Sequence, residues 1–431
     1  MTSPVLLRLR RITGMLIAFT LVIALLPMQV GHAYALSIPS TTVLISDQLI
    51  VQIDPAMGGS IDQITVRYDL TIIEALALQA DTYLVRIPPT STPDVLAEQL
   101  ELDPQIEYAE PNRILATPEG DTRGIGAWGG SDPSPMFTQY AVQALLLNEA
   151  HQMTQGAGQT IAILDTGVDA DHPQLRAAIA PTSYDALDQT TRVQDIGNQR
   201  DDDGDGLVDE LVGHGTHVAG IVHLVAPKAA LMVIRVLDSD GNGEAFAIAQ
   251  AIEYALANDA DVINLSLGSD LRSRVLRDTI RVATQRGVVV VAAAGNASTD
   301  TRHYPAASSC ALAVTASDDT QQLASFANYG NWVDLAAPGV SIASTLPAGY
   351  GWWSGTSMSA PFVAGQAALI ESLAPALNPR DIGQIMAATA RPIAPHRFGV
   401  IDPLASLKAA QTGVLPNPTF SVMSGSCVEI P

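Results

Sequence analysis

Asp165 ends an apolar run in "AILDTGVDADHPQL" (162–175), His214 lies between two glycines in "GHGTHVAG" (213–220), and Ser357 heads an apolar stretch in "GTSMSAP" (355–361). A serine hydroxyl attacks only when a base takes its proton. An imidazole serves as that base when a carboxylate fixes its tautomer and steadies the cation that forms. Each residue has a plainer reading alone: Ser357 as a helix cap, Asp165 as a turn former. Their settings favour the chemistry. His214 opens a helical stretch, where the helix dipole favours the neutral imidazole a base needs. Ser357 also opens a helix, whose free N–H groups suit an oxyanion, and Gly355, Ala360 and Pro361 keep its surroundings small.

The elements that must position these groups follow from periodicity. "TIAIL" (160–164), "ALMVIRVL" (230–237), "DVINLSL" (261–267) and "VVVVAAA" (288–294) are apolar runs of buried-strand length. Helical segments lie between them at 244–258 and 271–287, the second ending on Gly287. Strands alternating with helices predict a parallel sheet with right-handed crossovers, which binds ligands beyond the carboxyl ends of its strands. Polar residues collect there: "DTG", "SDGNG", "GSD" and "GN". Residues 36–116 form a separate α+β unit, with strands expected at 47–54, 81–87 and 105–111 and helices at 58–68 and 92–102, the latter capped by Thr92. The Gly/Pro-rich stretch "TPEGDTRGIGAWGGSDPSP" (117–135) reads as an exposed linker.

Composition narrows the function classes. The chain has 431 residues, 47% of them hydrophobic, and a net charge of −22, so a large core is available and nucleic acid or an anionic membrane is disfavoured as a partner. Arg8, Arg10 and Arg11, the apolar stretch 12–26 and the small-x-small site "AYA" (33–35) predict a cleaved export signal over 1–35. The competing reading, a membrane anchor, needs about 20 apolar residues and has fewer. A secreted, extracellular protein is expected, with no stable membrane anchor once the signal is cut. Cys310 and Cys427 make no disulfide scaffold, and one bridge or two thiols both remain open.

In the order Asp, His, Ser, the three motifs resemble those of the subtilisin-like serine proteases, the subtilases. The resemblance covers roughly 137–412. It implies an α/β, subtilisin-like three-layer fold with a mainly parallel central sheet. It also implies a serine endopeptidase in which Asp165 orients, His214 is base and then acid, and Ser357 attacks. "VVVVAAAGN" looks like the family strand carrying the oxyanion asparagine, here Asn296. Extended substrate is implied between two backbone edges, Gly241, Asn242 and Gly243 on one side and Ser266, Leu267 and Gly268 on the other, with Ala293, Ala294 and Gly295 walling the pocket before the cut. Two positions depart from the family pattern: Gln174 stands where relatives often carry a calcium-binding Asp, and Phe362 where a His is usual.

"TYLVRIPPTSTPDVLAEQLELDPQIEYAEPN" resembles the inhibitor-type propeptides of the same family, small α+β (ferredoxin-like) domains that template folding and then occupy the cleft. The organisation expected is signal 1–35, propeptide 36–116, linker and processing region 117–136, peptidase domain 137–412 and tail 413–431, with self-cleavage between about 113 and 135. The propeptide carries three bases and twelve acids, and the rest is acidic too, so their contact is expected to be apolar or locally paired.

"DDDGDGLVDE" places Asp201, Asp203, Asp205, Asp209 and Glu210 around Gly206, with the Leu207 carbonyl as a further donor. Alternate carboxylates about a tight turn wrap Ca²⁺; against an EF-hand the twelfth position is Val212, and Glu210 is the substitute. A solvated acidic loop is the plainer alternative. A structural calcium is expected, and no organic cofactor. His214 and His217 could pair as zinc ligands, but the triad claims His214, so His217 is expected to pack below the site. Partners expected are polypeptide substrates and the chain's own propeptide, on a monomer. The rival readings are a catalytically silent calcium-binding module on the same scaffold and a carboxyl-type serine peptidase of related fold, which lacks "HGTHVAG".

Overall fold

The computed structural model describes residues 44–119 and 126–414. The export signal read over 1–35, Cys427 and the end of the tail lie outside the described residues; Cys310 is buried and disulfide-bonded.

The first unit runs β1 (Leu44–Ile53), α1 (Ile61–Tyr68), β2 (Thr71–Ala75), β3 (Thr82–Arg86), α2 (Pro93–Leu100) and β4 (Ile106–Ala116), in antiparallel order β2-β3-β1-β4. That is the ferredoxin-like βαββαβ arrangement. Alternation along its strands divides the side chains between two faces. Leu49, Val51, Ile53, Val85 and Ala109 pack with Ile64, Leu96 and Leu100 of its own helices. Ile50, Leu84 and Tyr108 point the other way, into a cluster with Phe246, Ile252, Leu276 and Ile280 of the larger domain. Burying each such side chain stabilises by roughly 1.5–3 kcal/mol, so this face needs the larger domain against it. Strand β2 was not expected. It is an exposed edge without alternation, which leaves no periodic signal. Thr92 does sit at the N-cap of α2 but makes no side-chain cap bond; Pro93, pre-set for the first turn, starts that helix instead.

The larger domain continues with β5 (Gly126–Gly130), α3 (Ser134–Thr138), α4 (Tyr140–Ala144), α5 (Leu147–Ala150), β6 (Thr160–Asp165), β7 (Tyr184–Asp185), α6 (His214–Val225), β8 (Ala230–Arg235), β9 (Asn242–Glu244), α7 (Ala245–Ala257), β10 (Val262–Leu265), α8 (Arg274–Gln285) and β11 (Val289–Ala293). It ends with β12 (Leu312–Ser317), β13 (Leu335–Pro338), β14 (Ile342–Leu346), β15 (Gly349–Trp353), α9 (Thr356–Leu373), α10 (Pro379–Thr389), β16 (Arg391–Pro392), β17 (Gly399–Val400) and α11 (Pro403–Thr412). A nine-stranded sheet in the order β16-β17-β13-β12-β11-β10-β6-β8-β7 is parallel except at the β16–β17 pair. Helices α6 and α9 cover one face through Val218, Ile221, Val363 and Leu369, and α7 and α8 cover the other. This is the subtilisin-like three-layer fold. Phe362 is fully buried in the α9 core, so the departure from the family His is absorbed by packing.

The exposed-linker reading of 117–135 is corrected. Thr117 and Glu119 are buried, and Gly126–Gly130 is a strand paired with β15. Gly and Pro content marks a break in periodicity, and a chain lying in a cleft shows the same break as one in solvent. Among the described residues, no helix is long and apolar enough to cross a membrane.

Candidate active site

Asp165 is the last residue of β6, an interior strand of the sheet, and its side chain is fully buried. His214 is the first residue of α6, also fully buried. Gly215 lets the two meet: a Cβ there would collide with the Gly167 carbonyl and lie 3.1 Å from Asp165 Oδ1. His214 Nδ1 donates to Asp165 Oδ1 at 2.7 Å, which sets the tautomer the triad requires. Buried Asp195 ties the two elements together. Its Oδ1 accepts from Thr166 Oγ1 at 3.2 Å, and its Oδ2 accepts from Thr216 Oγ1 at 2.7 Å and Thr216 N at 3.1 Å. The Trp353 ring stands edge-on to His214 at 5.4 Å.

Ser357 lies in the first turn of α9, fully buried. Asn296, just beyond β11, caps that helix with its Oδ1, which accepts from Thr356 N at 3.0 Å. Its Nδ2 is thereby aimed into the cleft beside Ser357 N. Asn328 holds the 294–299 loop in place: Nδ2 donates to Ala294 O at 2.8 Å, and Oδ1 accepts from Ala297 N at 3.0 Å. The wall residues Ala293, Ala294 and Gly295 are buried, and Gly295 has φ +97°, a conformation that excludes most side chains.

The two expected edges hold a strand of the chain itself. β4 pairs antiparallel with β9, Ile114 with Glu244, Leu115 with Gly243 and Ala116 with Asn242, extending the propeptide sheet by one strand. On the other side Ala116 N donates to Gly268 O at 3.1 Å and Gly268 N to Ala116 O at 2.8 Å; Thr117 N donates to Gly241 O at 3.0 Å. Leu115 is buried among Leu237, Ala245 and Leu267. Ser266 Oγ donates to Ser357 O at 3.0 Å. Away from the cleft, Glu110 accepts from Ser273 Oγ, Arg274 N and Val275 N at 2.8–3.0 Å, at the start of α8, and Glu253 of α7 accepts from Ala77 N and Gln79 N. The contact between two acidic units is thus apolar and locally paired, as expected.

The chain then brings in a residue that the motifs did not identify. Glu119, 3% exposed, accepts from Ser357 Oγ at 2.6 Å through Oε2 and from Asn296 Nδ2 at 2.9 Å through Oε1. Ser357 N reaches Oε1 at 3.3 Å, and His214 Nε2 lies 3.3 Å from Oε2 as an ion pair. Ser357 and His214 therefore meet through one carboxylate oxygen instead of directly. Burial pulls the His214 pKa down, but the charge and hydrogen bond of Asp165 together with Glu119 outweigh it and push it up to about 10. The one available signal was the apolar pair Ile114–Leu115 beyond the expected end of β4, which implied further strand. Asp195 and Asn328 were also missed, because their roles come from contacts distant in sequence.

His217 Nε2 bonds Ile342 O at 3.0 Å and stacks edge-on against Trp353. Burial, then the charge of His214, lowers its pKa to about 3, so it sits below the site as a neutral packing residue. In the acidic loop, Asp201, Asp203 and Asp205 are exposed, each with an oxygen within 4.8 Å of the others, a cluster that could hold a metal. Asp201 accepts from Gly204 N and Gly206 N, and Leu207 N donates to Asp205. Both Glu210 oxygens are buried without a partner, and its pKa is pushed up to about 7 by burial and by Asp240, Asp205 and Asp203. Glu210, expected among the ligands, is outside this cluster, and so is Asp209. The Asp209 carboxylate turns to Asn198 N at 2.7 Å and Gln199 N at 3.0 Å, while Asp240 holds Asp209 N and Asp202 N.

Residues 156–401, more than half of the chain, match the subtilase family, and 35–112 match the fervidolysin N-terminal prodomain. The thermophilic serine proteinase of Bacillus sp. (strain AK1) is 39% identical over 291 residues, 65% of this chain and 66% of that one. Thermitase of Thermoactinomyces vulgaris is 40% identical over 253 residues, 56% of this chain and 85% of that one. The crystal structure of fervidolysin from Fervidobacterium pennivorans has the same fold, with a TM-score of 0.70, 22% identity and coverage of 88% of this chain and 62% of that one. The chain thus spans about two thirds of the length of the first of these proteinases and somewhat less of fervidolysin. With the fold, the motif order and these matches in agreement, the chain belongs to the subtilase family of serine peptidases.

Proposed function

We propose that this chain is a secreted serine endopeptidase that works through Asp165, His214 and Ser357 with Asn296 in the oxyanion site, and that it is made as a precursor processed by its own active site. The observation that carries the reading is the extended segment 114–117, clamped between Gly241–Glu244 and Gly268 and leading directly to Ser357. A peptide held this way places successive carbonyls along the cleft, and β-addition recognises backbone whatever its sequence. In the reaction, His214 Nε2 takes the Ser357 proton as Oγ bonds to the carbonyl carbon. Asp165 steadies the imidazolium, Asn296 Nδ2 and Ser357 N receive the oxyanion, and His214 returns the proton to the leaving amine. Water then releases the acyl group by the same route.

Self-cleavage is proposed at Pro118–Glu119, the bond that follows the clamped segment and lies within the expected 113–135 window, with the cut propeptide staying in the cleft as an inhibitor. The domain boundaries 36–116 and 137–412 bracket that cut. Calcium is the cation proposed for Asp201, Asp203 and Asp205, with Glu210 as a further donor. Hard oxygen ligands suit it. Its role is to order the loop that runs into α6.

The test is to express the full chain and the Ser357→Ala variant, follow conversion to a shorter form, sequence the new N-terminus and label with a fluorophosphonate. Conversion and labelling confined to the unmutated protein support the reading. Normal conversion of Ser357→Ala overturns self-processing, and a folded, processed chain that resists the label overturns the peptidase.

A further inference from the structure

Resting on that reading, we propose that Glu119 is a side-chain lock on the precursor. Its carboxylate occupies the oxyanion site and ties up the serine and the histidine, so that self-cleavage waits until it swings out.

Every polar group that the first step needs is engaged by this one side chain. Oε1 takes Asn296 Nδ2 at 2.9 Å and Ser357 N at 3.3 Å, the two donors meant for the oxyanion. Oε2 takes the Ser357 hydroxyl proton at 2.6 Å, the proton that must pass to His214. The same oxygen faces His214 Nε2 at 3.3 Å, and Asp165 Oδ1 holds Nδ1 at 2.7 Å, so the imidazole lies between two carboxylates that favour its cation. A cationic imidazole cannot act as the base. A buried carboxylate in a site built for an oxygen anion is also a stable stand-in for the charge that develops during attack. The fit is close: a Cβ at Gly355 would collide with the Glu119 carboxylate, so the glycine before the helix leaves room for it.

The lock is adjacent to the bond it protects. When the Glu119 side chain leaves, the Pro118 carbonyl can take its place. Ser357 Oγ then bonds to the Pro118 carbonyl carbon and its proton passes to His214 Nε2. The Pro118–Glu119 C–N bond breaks, and the proton goes to the Glu119 nitrogen. Water hydrolyses the ester, freeing Ser357 and leaving a Pro118 carboxylate. Cutting removes the lock's tether, because Glu119 becomes the free start of the released chain. The device is used once, and it delays activation without any loss in the mature enzyme.

Three full-length variants test this: Glu119→Ala removes the carboxylate, Glu119→Gln keeps its shape without the charge, and Glu119→Asp draws it back by one methylene. Each is refolded at one neutral pH beside the unmutated precursor, and conversion is followed by intact mass. The lock predicts conversion at least about tenfold faster for Glu119→Ala and Glu119→Asp, an intermediate gain for Glu119→Gln, and a new N-terminus at position 119 throughout. Conversion of Glu119→Ala and Glu119→Gln at or below the unmutated rate overturns the lock and leaves the peptidase reading standing. Absence of conversion and of fluorophosphonate labelling in every form overturns both.

Discussion

The catalytic cleft and the acidic loop at 201–210 are both built on carboxylates, a few residues apart in sequence, yet they solve the charge problem in opposite ways. Asp165 is fully buried and paired at 2.7 Å with an imidazole that a helix start fixes in place. Asp201, Asp203 and Asp205 are exposed, gather their oxygens within 4.8 Å and bond mainly to N–H groups of their own loop. A buried carboxylate persists where rigid elements supply the countercharge, because desolvation makes an unpaired charge costly. An exposed cluster tolerates its repulsion in water, and it becomes rigid only when a cation replaces that solvent. The first pairs its charges within the chain, and the second gathers carboxylates that could hold a metal.

Chemistry at Ser357 separates the regions most sharply. Ser357→Ala should lower kcat/KM by about 10⁶-fold with the fold and the chelator response intact, a magnitude borrowed from the triad of subtilisin, a relative of this chain. A loss under tenfold in purified Ser357→Ala protein, its propeptide removed in trans by the unmutated enzyme, breaks the cleft side of the comparison. Asn296→Ala should cost about 100–1000-fold in kcat with little change in KM, again a magnitude taken from the oxyanion asparagine of subtilisin, because the amide acts on the charge that appears during attack. An equal rise in KM would show a ground-state binding role.

The loop should respond to ions and not to triad substitutions. Calcium at about 100-fold above its Kd adds about 2.7 kcal/mol to a state that alone binds it, so a chelator should lower the melting temperature by several degrees before activity falls. An unchanged melting curve in chelator removes the calcium. Protons should act on the cleft instead. The His214 pKa is raised from 6.5 to about 10, against the pull of burial, by Asp165 and Glu119. A raised folded pKa gives stability that is complete below pH 6.5 and lost as pH rises through 10. The uncut Ser357→Ala precursor should therefore melt progressively lower across that window, whereas its His214→Gln counterpart should not; parallel curves would contradict the pairing. The smallest effect is expected from Glu110→Ala, which frees three donors at the start of α8. The uncut precursor should lose about 0.5–2 kcal/mol in a denaturant melt, with the activity of the processed enzyme unchanged.

Much of the fold was legible because its signals are local. The four central strands are apolar runs that no solvent-facing strand would tolerate, and each was placed within about two residues of β6, β8, β10 and β11. Helices α7, α8 and α9 followed from spacing in the same way. Asp165, His214 and Ser357 stood out as candidates because each sits in a short motif whose glycines mark close approach. Edge strand β2, with every residue exposed, carries no such pattern. Asp209 looked like its neighbours in the acidic run, but its φ of +58° turns the chain, and its carboxylate satisfies Asn198 and Gln199 instead. Alternating carboxylates announce a loop that could wrap an ion, and the path of the turn decides which of them face it.

From the sequence alone came the class of fold, the identity and order of Asp165, His214 and Ser357, and the presence of a propeptide, since periodicity, glycine placement and motif spacing are properties of neighbouring residues. Only the tertiary structure decided that one face of the propeptide sheet rests on α7 and α8, and that Glu119 reaches a serine 238 residues away. Those outcomes depend on the register of β4 against β9. Register is set by the packing of whole elements, so no short stretch carries it.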